Sequence, residues 1–342
     1  MSTTLLLIAL SALQGADAWG GLGHQTTGFI AQNFVHPATE AWAQNILSNT
    51  NSSYLASVAT WADSFRYTDE GSFSSPFHYI DAEDDPPKSC NVDFERDCGD
   101  AGCVVTAIAN YTQRVQDGRH SDQEIDYALR FLVHFIGDIT QPLHDEAFEI
   151  GGNGVNVTFD GDDTNLHSVW DTSMPEELVG GYELEDAEAW AANLTTEIRN
   201  GTFAASSKSW LQGLDIEDPK ASAMVWAQDG NKYVCSVVMP DGIEPLEGND
   251  LYPGYYKGAI DTVELQIAKA GYRLAAWLDA LAAKSDVSKR WQPREQYWKI
   301  GTQGVKLEQD FSGSDLLREP RAAKSKAKMR RQAIGWGCGH KH

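Results

Sequence analysis

The sequence has little of what a membrane protein or a nucleic-acid-binding protein with a broad basic surface requires. Apart from residues 5–13, no stretch is apolar enough to be a membrane span, and a span needs about 20 residues. Basic residues are scarce: 27 Lys and Arg stand against 49 Asp and Glu, for a net charge of −22. A phosphate ligand would therefore have to be attracted by bound metal cations rather than by lysine and arginine.

The few basic residues are concentrated at the C-terminal end. Residues 288–342 contain 13 Lys or Arg and 5 Asp or Glu, whereas residues 1–287 contain 14 and 44. The hydrophobic periodicity also ends near residue 288. This composition is typical of a disordered or removable tail, and a nucleic-acid-binding arm is the alternative. We expect a chain that ends at Ser288 to keep its activity and stability.

The N-terminal end has the features of an export signal. Residues 1–18 combine a short apolar region with the small residues Ala16 and Ala18 at a cleavage position. Five glycosylation sequons agree with export, at Asn51, Asn110, Asn156, Asn193 and Asn200. We therefore predict a secreted, soluble glycoprotein whose folded domain covers residues 19–287.

Cysteine is rare, with five residues in the chain. In an oxidising compartment Cys98 and Cys103 are close enough to pair locally, which would leave Cys90 to pair with Cys235. A zinc-binding cysteine cluster is the competing interpretation. Cys338 lies alone in the basic tail.

Periodicity predicts a mainly α fold with one small β-hairpin. Helices are expected over residues 38–48, 54–65, 104–116, 184–199 and 259–284, and residues 19–24 are expected to form a glycine-rich arm. Residues 76–81 have extended character. Alternation at Val155, Val157 and Phe159 after Asn153-Gly154 predicts a hairpin over residues 147–160.

The most informative stretch is residues 131–144, FLVHFIGDITQPLH. Its apolar period is helical, and a spacing of four places His134 and Asp138 on one helix face. Pro142 is expected to end the helix near Gln141 and to redirect His144. Two imidazoles and a carboxylate at one helix end suit a zinc site. A core helix with hydrogen-bonded histidines is the simpler alternative.

A second His-x-x-x-Asp step strengthens the zinc interpretation. In NLHSVWD, residues 165–171, a short helix would place His167 and Asp171 on one face. Imidazole combined with carboxylate is a donor set that zinc prefers.

Taken together, the motifs resemble the single-strand-specific trinuclear zinc nucleases of the S1/P1 type, which are related in fold to the zinc-dependent phospholipases C. The resemblance covers residues 19–287 and is carried by WGGLGH (19–24), WADSFR (61–66), FHYID (77–81), HFIGDITQPLH (134–144) and NLHSVWD (165–171). It implies a single helical domain with three zinc ions, and the family's disulfides match the four paired cysteines.

Carried over position by position, the resemblance implies three ligand sets. The first ion would be bound by Asp63, His78, His134 and Asp138, and the second by His144, His167 and Asp171. The third would be bound by His24, Asp138 and the free α-amino group and carbonyl oxygen of Trp19. Asp138 would thus bridge two ions. Arg66 would clamp the phosphate, with Asp63 and Asp138 also in the catalytic group, and Tyr79 and Asp81 would bind a base.

The resulting functional prediction is a monomeric endonuclease that cleaves single-stranded RNA and DNA to 5′-phosphate products and removes 3′-phosphates from mononucleotides. A zinc phospholipase C is the alternative enzyme, but it would need an apolar or choline-accepting rim where Tyr79 and Asp81 suit a base better. A non-catalytic helical glycoprotein with structural zinc is the alternative of a different class. It would require closed sites with four protein ligands, whereas His144, His167 and Asp171 supply three.

Overall fold

The computed structural model describes residues 19–285; the predicted signal peptide and the tail 288–342 with Cys338 lie outside the described residues. Its α-helices are α1 (Gly21–Phe34), α2 (Pro37–Ile46), α3 (Trp61–Phe65), α4 (Phe94–Asp97), α5 (Val104–Gln116), α6 (Asp122–Asp138), α7 (Leu166–Ser168), α8 (Met174–Val179), α9 (Leu184–Asn200), α10 (Pro219–Tyr233) and α11 (Gly254–Lys284). Short 3₁₀ helices cover Ala56–Val58, Ser72–His78, Pro142–Asp145 and Ser207–Leu211, and π-helical turns cover Val169–Ser173 and Val234–Val238. The prediction of a mainly α fold is confirmed.

The first and last helices pack against each other in the centre of the fold. Their close approach depends on Gly271, where a Cβ atom would lie 2.5 Å from Cβ of Ile30. Ile30, Ile267 and Leu274 are fully buried at or beside this crossing. The N-terminal segment is therefore held inside the protein: α1 begins at Gly21, and the predicted glycine-rich arm is largely helical.

Helix α6 carries the central motif through the core. It begins with a capping box in which Ser121 and Glu124 satisfy each other's backbone N–H groups. Phe131 and Phe135 are stacked on one side of the helix at a centroid distance of 5.1 Å, and Tyr111 of α5 stacks on Phe131. The helix ends at Asp138, three residues before the predicted end at Gln141. Asp138 is thus in the last turn of a helix that packing fixes rigidly.

The small hairpin exists, but its turn was predicted at the wrong place. Strands β1 (Asn156–Phe159) and β2 (Asp162–Asn165) are antiparallel, with Phe159 opposite Asp162. The turn is at Asp160-Gly161, where both residues have positive φ. The carboxylate of Asp250 accepts hydrogen bonds from both turn N–H groups, at 3.1 and 3.0 Å. Local turn propensity does not include this contact, because Asp250 is distant in the sequence.

Two other local predictions were also wrong. Residues 76–81 do not form one extended segment: a 3₁₀ helix runs through His78, and the extended backbone starts at Tyr79. The expected helix over residues 54–65 is divided into the 3₁₀ turn at Ala56–Val58 and α3. Helices α8 and α10 were not predicted.

Both expected disulfides are present, Cys90–Cys235 and Cys98–Cys103. They exclude the alternative of a zinc-binding cluster built from these four thiols. No helix among residues 19–285 has an apolar stretch of the length that crossing a bilayer requires.

Helices α10 and α11 are joined by a buried cluster of ions around Asp229. Its carboxylate accepts hydrogen bonds from Lys269 Nζ at 2.8 Å and Arg273 Nη2 at 2.6 Å, and also from the ammonium group of Lys232. Burial opposes ionisation, but Arg273 and Lys269 hold the pKa of Asp229 well below its ordinary value. Removal of this carboxylate would leave two buried cations without their partner.

We expect Asp229→Asn to lower the free energy of unfolding by about 3 kcal/mol at pH 7. Because the folded-state pKa of Asp229 is depressed, its stabilising effect is present above about pH 4 and is lost as the pH falls towards the folded-state pKa. The difference between wild type and variant should therefore shrink on acidification, as measured by urea unfolding at pH 7 and pH 3. Asp85→Asn, at an exposed pair with Lys88, serves as the control with little effect. An Asp229→Asn difference that is unchanged by pH would contradict this.

Candidate metal centre and substrate cleft

Asp138 lies at the centre of a group of three imidazoles. Its Oδ1 atom is 3.1 Å from Nε2 of His24, and its Oδ2 atom is 3.1 Å from Nδ1 of His78 and 3.2 Å from Nε2 of His134. Asp63 adds a second carboxylate, with its Oδ1 atom 3.4 Å from Nε2 of His134. The structure thus brings together, in one buried group, side chains from α1, α3, α6 and the 3₁₀ helix before Tyr79.

His24 reaches Asp138 because α6 has a glycine at position 137. A Cβ atom there would lie 2.9 Å from Nδ1 of His24, too close for the imidazole to stay in place. With glycine at position 137, the imidazole ring of His24 can stack on the ring of His134 at a centroid distance of 4.0 Å. Gly137 is a residue that sequence reasoning did not single out.

A second group consists of His144, His167 and Asp171. Nε2 of His167 is 2.9 Å from Oδ2 of Asp171 and 3.1 Å from Nε2 of His144. The predicted short helix at residues 165–171 is present as α7 and the π-turn that follows it, so the spacing of four does place His167 and Asp171 together. All three side chains are buried.

The protonation pattern of these histidines fits a bound cation. Nδ1 of His144 donates to the carbonyl oxygen of His78 at 2.7 Å, and Nδ1 of His167 donates to that of Gly151 at 2.6 Å. A carbonyl oxygen can only accept, so in the neutral rings the lone pairs are on the two Nε2 atoms, which face each other. Two lone pairs at 3.1 Å repel unless a metal ion or a proton lies between them or at their side. Burial opposes protonation of His167, but Asp171 raises its pKa, so a proton and a metal ion compete for this position. His134 has the same arrangement, with Nδ1 directed at the carbonyl oxygen of Ala59 at 2.6 Å.

The ionisation of the group also suits metal binding, which needs ionised carboxylates and neutral imidazoles. Burial opposes ionisation, but His134 lowers the pKa of Asp63 to about 2. Burial lowers the pKa of His78 to about 4, and burial together with His167 lowers that of His144. For His134, burial acts against protonation, but Asp138 and Asp63 raise its pKa well above the ordinary value. A proton and a metal ion therefore compete for this nitrogen.

Gln141 connects the end of α6 to the second group. Its Nε2 atom donates to Oδ1 of Asp171 at 2.6 Å, and its Oε1 atom accepts from the N–H of Leu143 at 2.6 Å. The side chain is fully buried. It orients the carboxylate of Asp171 and fixes the turn that delivers His144. Sequence reasoning treated Gln141 only as the helix end.

Trp19 is also fully buried. Its indole N–H donates to Oγ1 of Thr140 at 3.2 Å, and the N–H of Gly20 donates to the carbonyl oxygen of Asp171 at 2.8 Å. The first residue of the described chain is thus fixed between the end of α6 and the segment that carries Asp171.

A cleft of about 250 Å³ opens above the histidines. Its lining includes His78, His144 and His167, together with Arg66, Tyr79 and Asp81. Nη2 of Arg66 is 3.9 Å from Oδ1 of Asp63, which places the guanidinium beside the first group. The cleft therefore joins all three predicted substrate-contacting residues to both donor groups.

One part of the cleft lining was missed by sequence reasoning. It includes Ile150 and Asn153, which are in a loop with positive φ at Glu149, Ile150, Gly151 and Gly152. Ile150 exposes 41% of its surface, unusual for a large apolar side chain. The glycines of GGNG were the available signal, but they were assigned to a hairpin turn.

A buried set of imidazoles and carboxylates beneath an arginine-lined cleft defines a metal-dependent hydrolase of mainly α architecture. The S1/P1 Nuclease family profile matches residues 19–283. The chain therefore belongs to the S1/P1 nuclease family, and the predicted class of zinc-dependent nuclease is confirmed.

Named relatives support the assignment along nearly their whole length. The chain is 56% identical to Nuclease PA3 of a Penicillium species over 263 residues, 77% of this chain and 97% of the relative. It is 52% identical to Nuclease S1 of Aspergillus oryzae over 275 residues, 80% and 96% of the two chains. Endonuclease 4 of Arabidopsis thaliana is 33% identical over 295 residues, 81% and 93% of the two chains.

Proposed function

We propose that this protein is a secreted endonuclease that cleaves single-stranded RNA and DNA to 5′-phosphate products and removes 3′-phosphates from mononucleotides. The observation that carries the proposal is the pair of buried donor groups beneath a cleft lined by Arg66, Tyr79 and Asp81. Export is supported by the exposure of all five sequon asparagines, at Asn51, Asn110, Asn156, Asn193 and Asn200. We further propose that the enzyme acts as a monomer.

Three zinc ions are the proposed complement. Asp63, His78, His134 and Asp138 would hold the first, and His144, His167 and Asp171 the second. His24, Asp138 and the terminal amine and carbonyl of Trp19 would hold the third. The support is the convergence of donors into three groups: two of them overlap at His134, and the third consists of His144, His167 and Asp171. When bound, zinc ions supply Lewis-acid stabilisation of phosphoryl oxygens and lower the pKa of water.

Arg66 is the residue that positions the scissile phosphate in this proposal. Its side chain is 8% exposed, at the margin between the donor groups and the cleft. A guanidinium offers two parallel N–H donors to phosphate oxygens, and their negative charge increases in the transition state. Asp63, 3.9 Å from Nη2, holds the guanidinium at the edge of the metal centre.

Tyr79 and Asp81 form the proposed base site. Tyr79 is half-buried, and burial raises the pKa of its phenol. Its ring can stack on a base while the carboxylate of Asp81 accepts a hydrogen bond from base N–H groups, and Ile150 adds an apolar surface to the same cleft. A base is available to such a site only when it is unstacked, which explains a preference for single strands.

We expect Arg66→Ala to lower kcat by roughly 10²- to 10³-fold on a single-stranded oligonucleotide. Arg66→Lys should recover part of the loss, because an ammonium keeps the charge without the planar fork. Zinc content, measured by mass spectrometry, should remain that of wild type in both variants. If Arg66→Ala retained activity within a few-fold of wild type, the guanidinium would not position the phosphate.

The proposal is tested with purified zinc-loaded protein and three substrates: single-stranded RNA, single-stranded DNA and a 3′-mononucleotide. All three should be hydrolysed, and a duplex of the same sequence should be cleaved much more slowly. A protein with its zinc sites filled that left every nucleic-acid substrate intact would show the proposal to be wrong. Lecithin hydrolysis would instead indicate the phospholipase C alternative, and zinc binding without any turnover the structural glycoprotein.

A further inference from the structure

A second cavity, of about 400 Å³, lies between α10, α11 and the 3₁₀ helix Ser207–Leu211. It shares no lining residue with the substrate cleft. Its lining includes the ion cluster described above: Lys232, Lys269 and Arg273 with Asp229. No step of the proposed nuclease reaction uses these residues.

The cavity has an excess of positive charge. Three cations share the single carboxylate of Asp229, although the folded part of the chain is strongly acidic overall. The side chains of Lys269 and Arg273 are only 5% and 3% exposed. Buried charges are costly unless opposite charges compensate them. One carboxylate compensates one of the two buried cations, and Lys232, whose side chain is 53% exposed, adds a third positive charge at the cavity. An anion would therefore complete the cluster.

One N–H donor group of Arg273 has no hydrogen-bond partner among the described residues. Its Nε atom donates to the carbonyl oxygen of Trp210 at 3.1 Å, and Nη2 donates to Asp229. Its Nη1 atom is buried and has no hydrogen-bond partner among residues 19–285. The carboxyl group of Asp145 also acts on Arg273 electrostatically. It is packed against Gly230, and within residues 19–285 it forms no ion pair with Arg273.

The cavity also has apolar lining residues, beside the polar Ser206, Ser209 and Gln212. Val225 is 44% exposed there, and Leu265 and Trp210 also contribute to the lining. A volume of about 400 Å³ is within the range of small-molecule sites, roughly 300–1,000 Å³. The basic segment 288–342 is not a suitable occupant, because its charge has the same sign as the cluster.

We propose that this cavity binds a phosphate monoester, with the phosphate against Lys269 and Arg273 and the organic group against Val225. A phosphate dianion balances the net charge of +2 that Lys232, Lys269 and Arg273 carry together with Asp229. Its tetrahedral oxygens can accept hydrogen bonds from guanidinium and ammonium N–H groups. Mononucleotides have this chemistry.

A matched pair of variants at Val225 tests the proposal without disturbing the buried ions. Val225→Glu places a negative charge at the rim, and Val225→Gln has the same shape without the charge. Calorimetric titration of the zinc-loaded protein with inorganic phosphate and with 5′-AMP should detect two classes of site, one of them the metal centre. Val225→Glu should weaken the binding of inorganic phosphate at the other class of site by roughly fivefold, whereas Val225→Gln should leave phosphate binding as in wild type. Both variants should keep the wild-type rate of nucleic-acid cleavage.

A second variant acts on the floor of the cavity. Lys269→Met should weaken phosphate binding at the same class of site by on the order of tenfold. Lys284→Met, at an exposed position on the same helix, should leave this binding unchanged.

Equal binding of phosphate and 5′-AMP would show recognition of the phosphate group alone, and tighter binding of 5′-AMP would show a contribution from the organic group. Adenosine that bound as tightly as 5′-AMP would overturn the proposal. So would a single class of phosphate site unaffected by Val225→Glu and Lys269→Met. Loss of cleavage activity would bear on the nuclease proposal and not on this binding result.

Discussion

Asp138→Asn should remove metal from two sites at once and lower the rate of nucleic-acid cleavage by on the order of a thousandfold. Asp138 is the only carboxylate among the described residues that lies within 3.2 Å of three imidazoles, those of His24, His78 and His134. An amide of the same shape presents one neutral oxygen instead of two charged ones. The expected zinc content therefore falls from the proposed three ions per chain to about one, as measured by mass spectrometry.

The comparison that makes this result specific is His167→Ala. His167 contacts His144 and Asp171 in the second group and makes no contact with Asp138. Its loss should remove one ion and leave the others. Asp126→Asn is the matched control on the same helix: Asp126 pairs with Arg130 near the surface, about 18 Å along the helix from Asp138. Equal loss of a single zinc ion in Asp138→Asn and His167→Ala would contradict a bridging role.

The parts of the site that the sequence predicted are those encoded by local spacing. His134 and Asp138 are four residues apart on a strongly periodic helix, and His167 and Asp171 are four apart on a short one, so each pair could be placed before the fold was known. The residues that surround these two pairs could not be predicted from local spacing. Gly137 is important for the site because the imidazole of His24, from α1, packs against it. Gln141 is important because its side chain donates a hydrogen bond to Asp171, which is 30 residues away in the sequence.

The errors in the fold have the same origin. The hairpin turn at Asp160-Gly161 is stabilised by Asp250, which lies 90 residues after Asp160 and 89 after Gly161. The alternation predicts a hairpin over residues 147–160. This range includes the loop at Glu149–Gly152, so the prediction does not identify Ile150 and Asn153 as cleft residues. Local propensity favoured Asn153-Gly154 as the turn, and tertiary hydrogen bonds placed the turn elsewhere. Residues that depend on such long-range contacts need the three-dimensional structure to be identified.

One added residue before Trp19 should abolish the third metal site and nearly all activity. Trp19 is fully buried, and the N–H of the next residue is hydrogen-bonded to the carbonyl oxygen of Asp171. The space beside the Cα atom of Gly20 is also limited, because a Cβ atom on this residue would lie 2.6 Å from Oγ1 of Thr172. The main chain at this point is therefore fixed beside the donor groups, as chelation through a terminal amine requires.

The chemical reason is the difference between an amine and an amide. If the chain is cut after Ala18, the nitrogen of Trp19 has a lone pair that can bind zinc, and the metal favours its deprotonated form. In an uncut chain or an extended one, the same nitrogen is part of a planar amide whose lone pair is delocalised. On this hypothesis, export and processing complete the enzyme, and the precursor is a weak hydrolase before cleavage.

Two variants separate this hypothesis from simple packing of the Trp19 side chain. The first is the mature chain with one alanine before Trp19, which should lose one zinc ion and its activity. The second is Trp19→Phe, which keeps the terminal amine but loses the indole hydrogen bond to Thr140. It should unfold more easily, by roughly 1–3 kcal/mol, and yet retain three zinc ions and most of its turnover. If packing were all that mattered, Trp19→Phe would be the more damaged protein. If the extended chain kept three zinc ions and full turnover, the amine would not be a ligand.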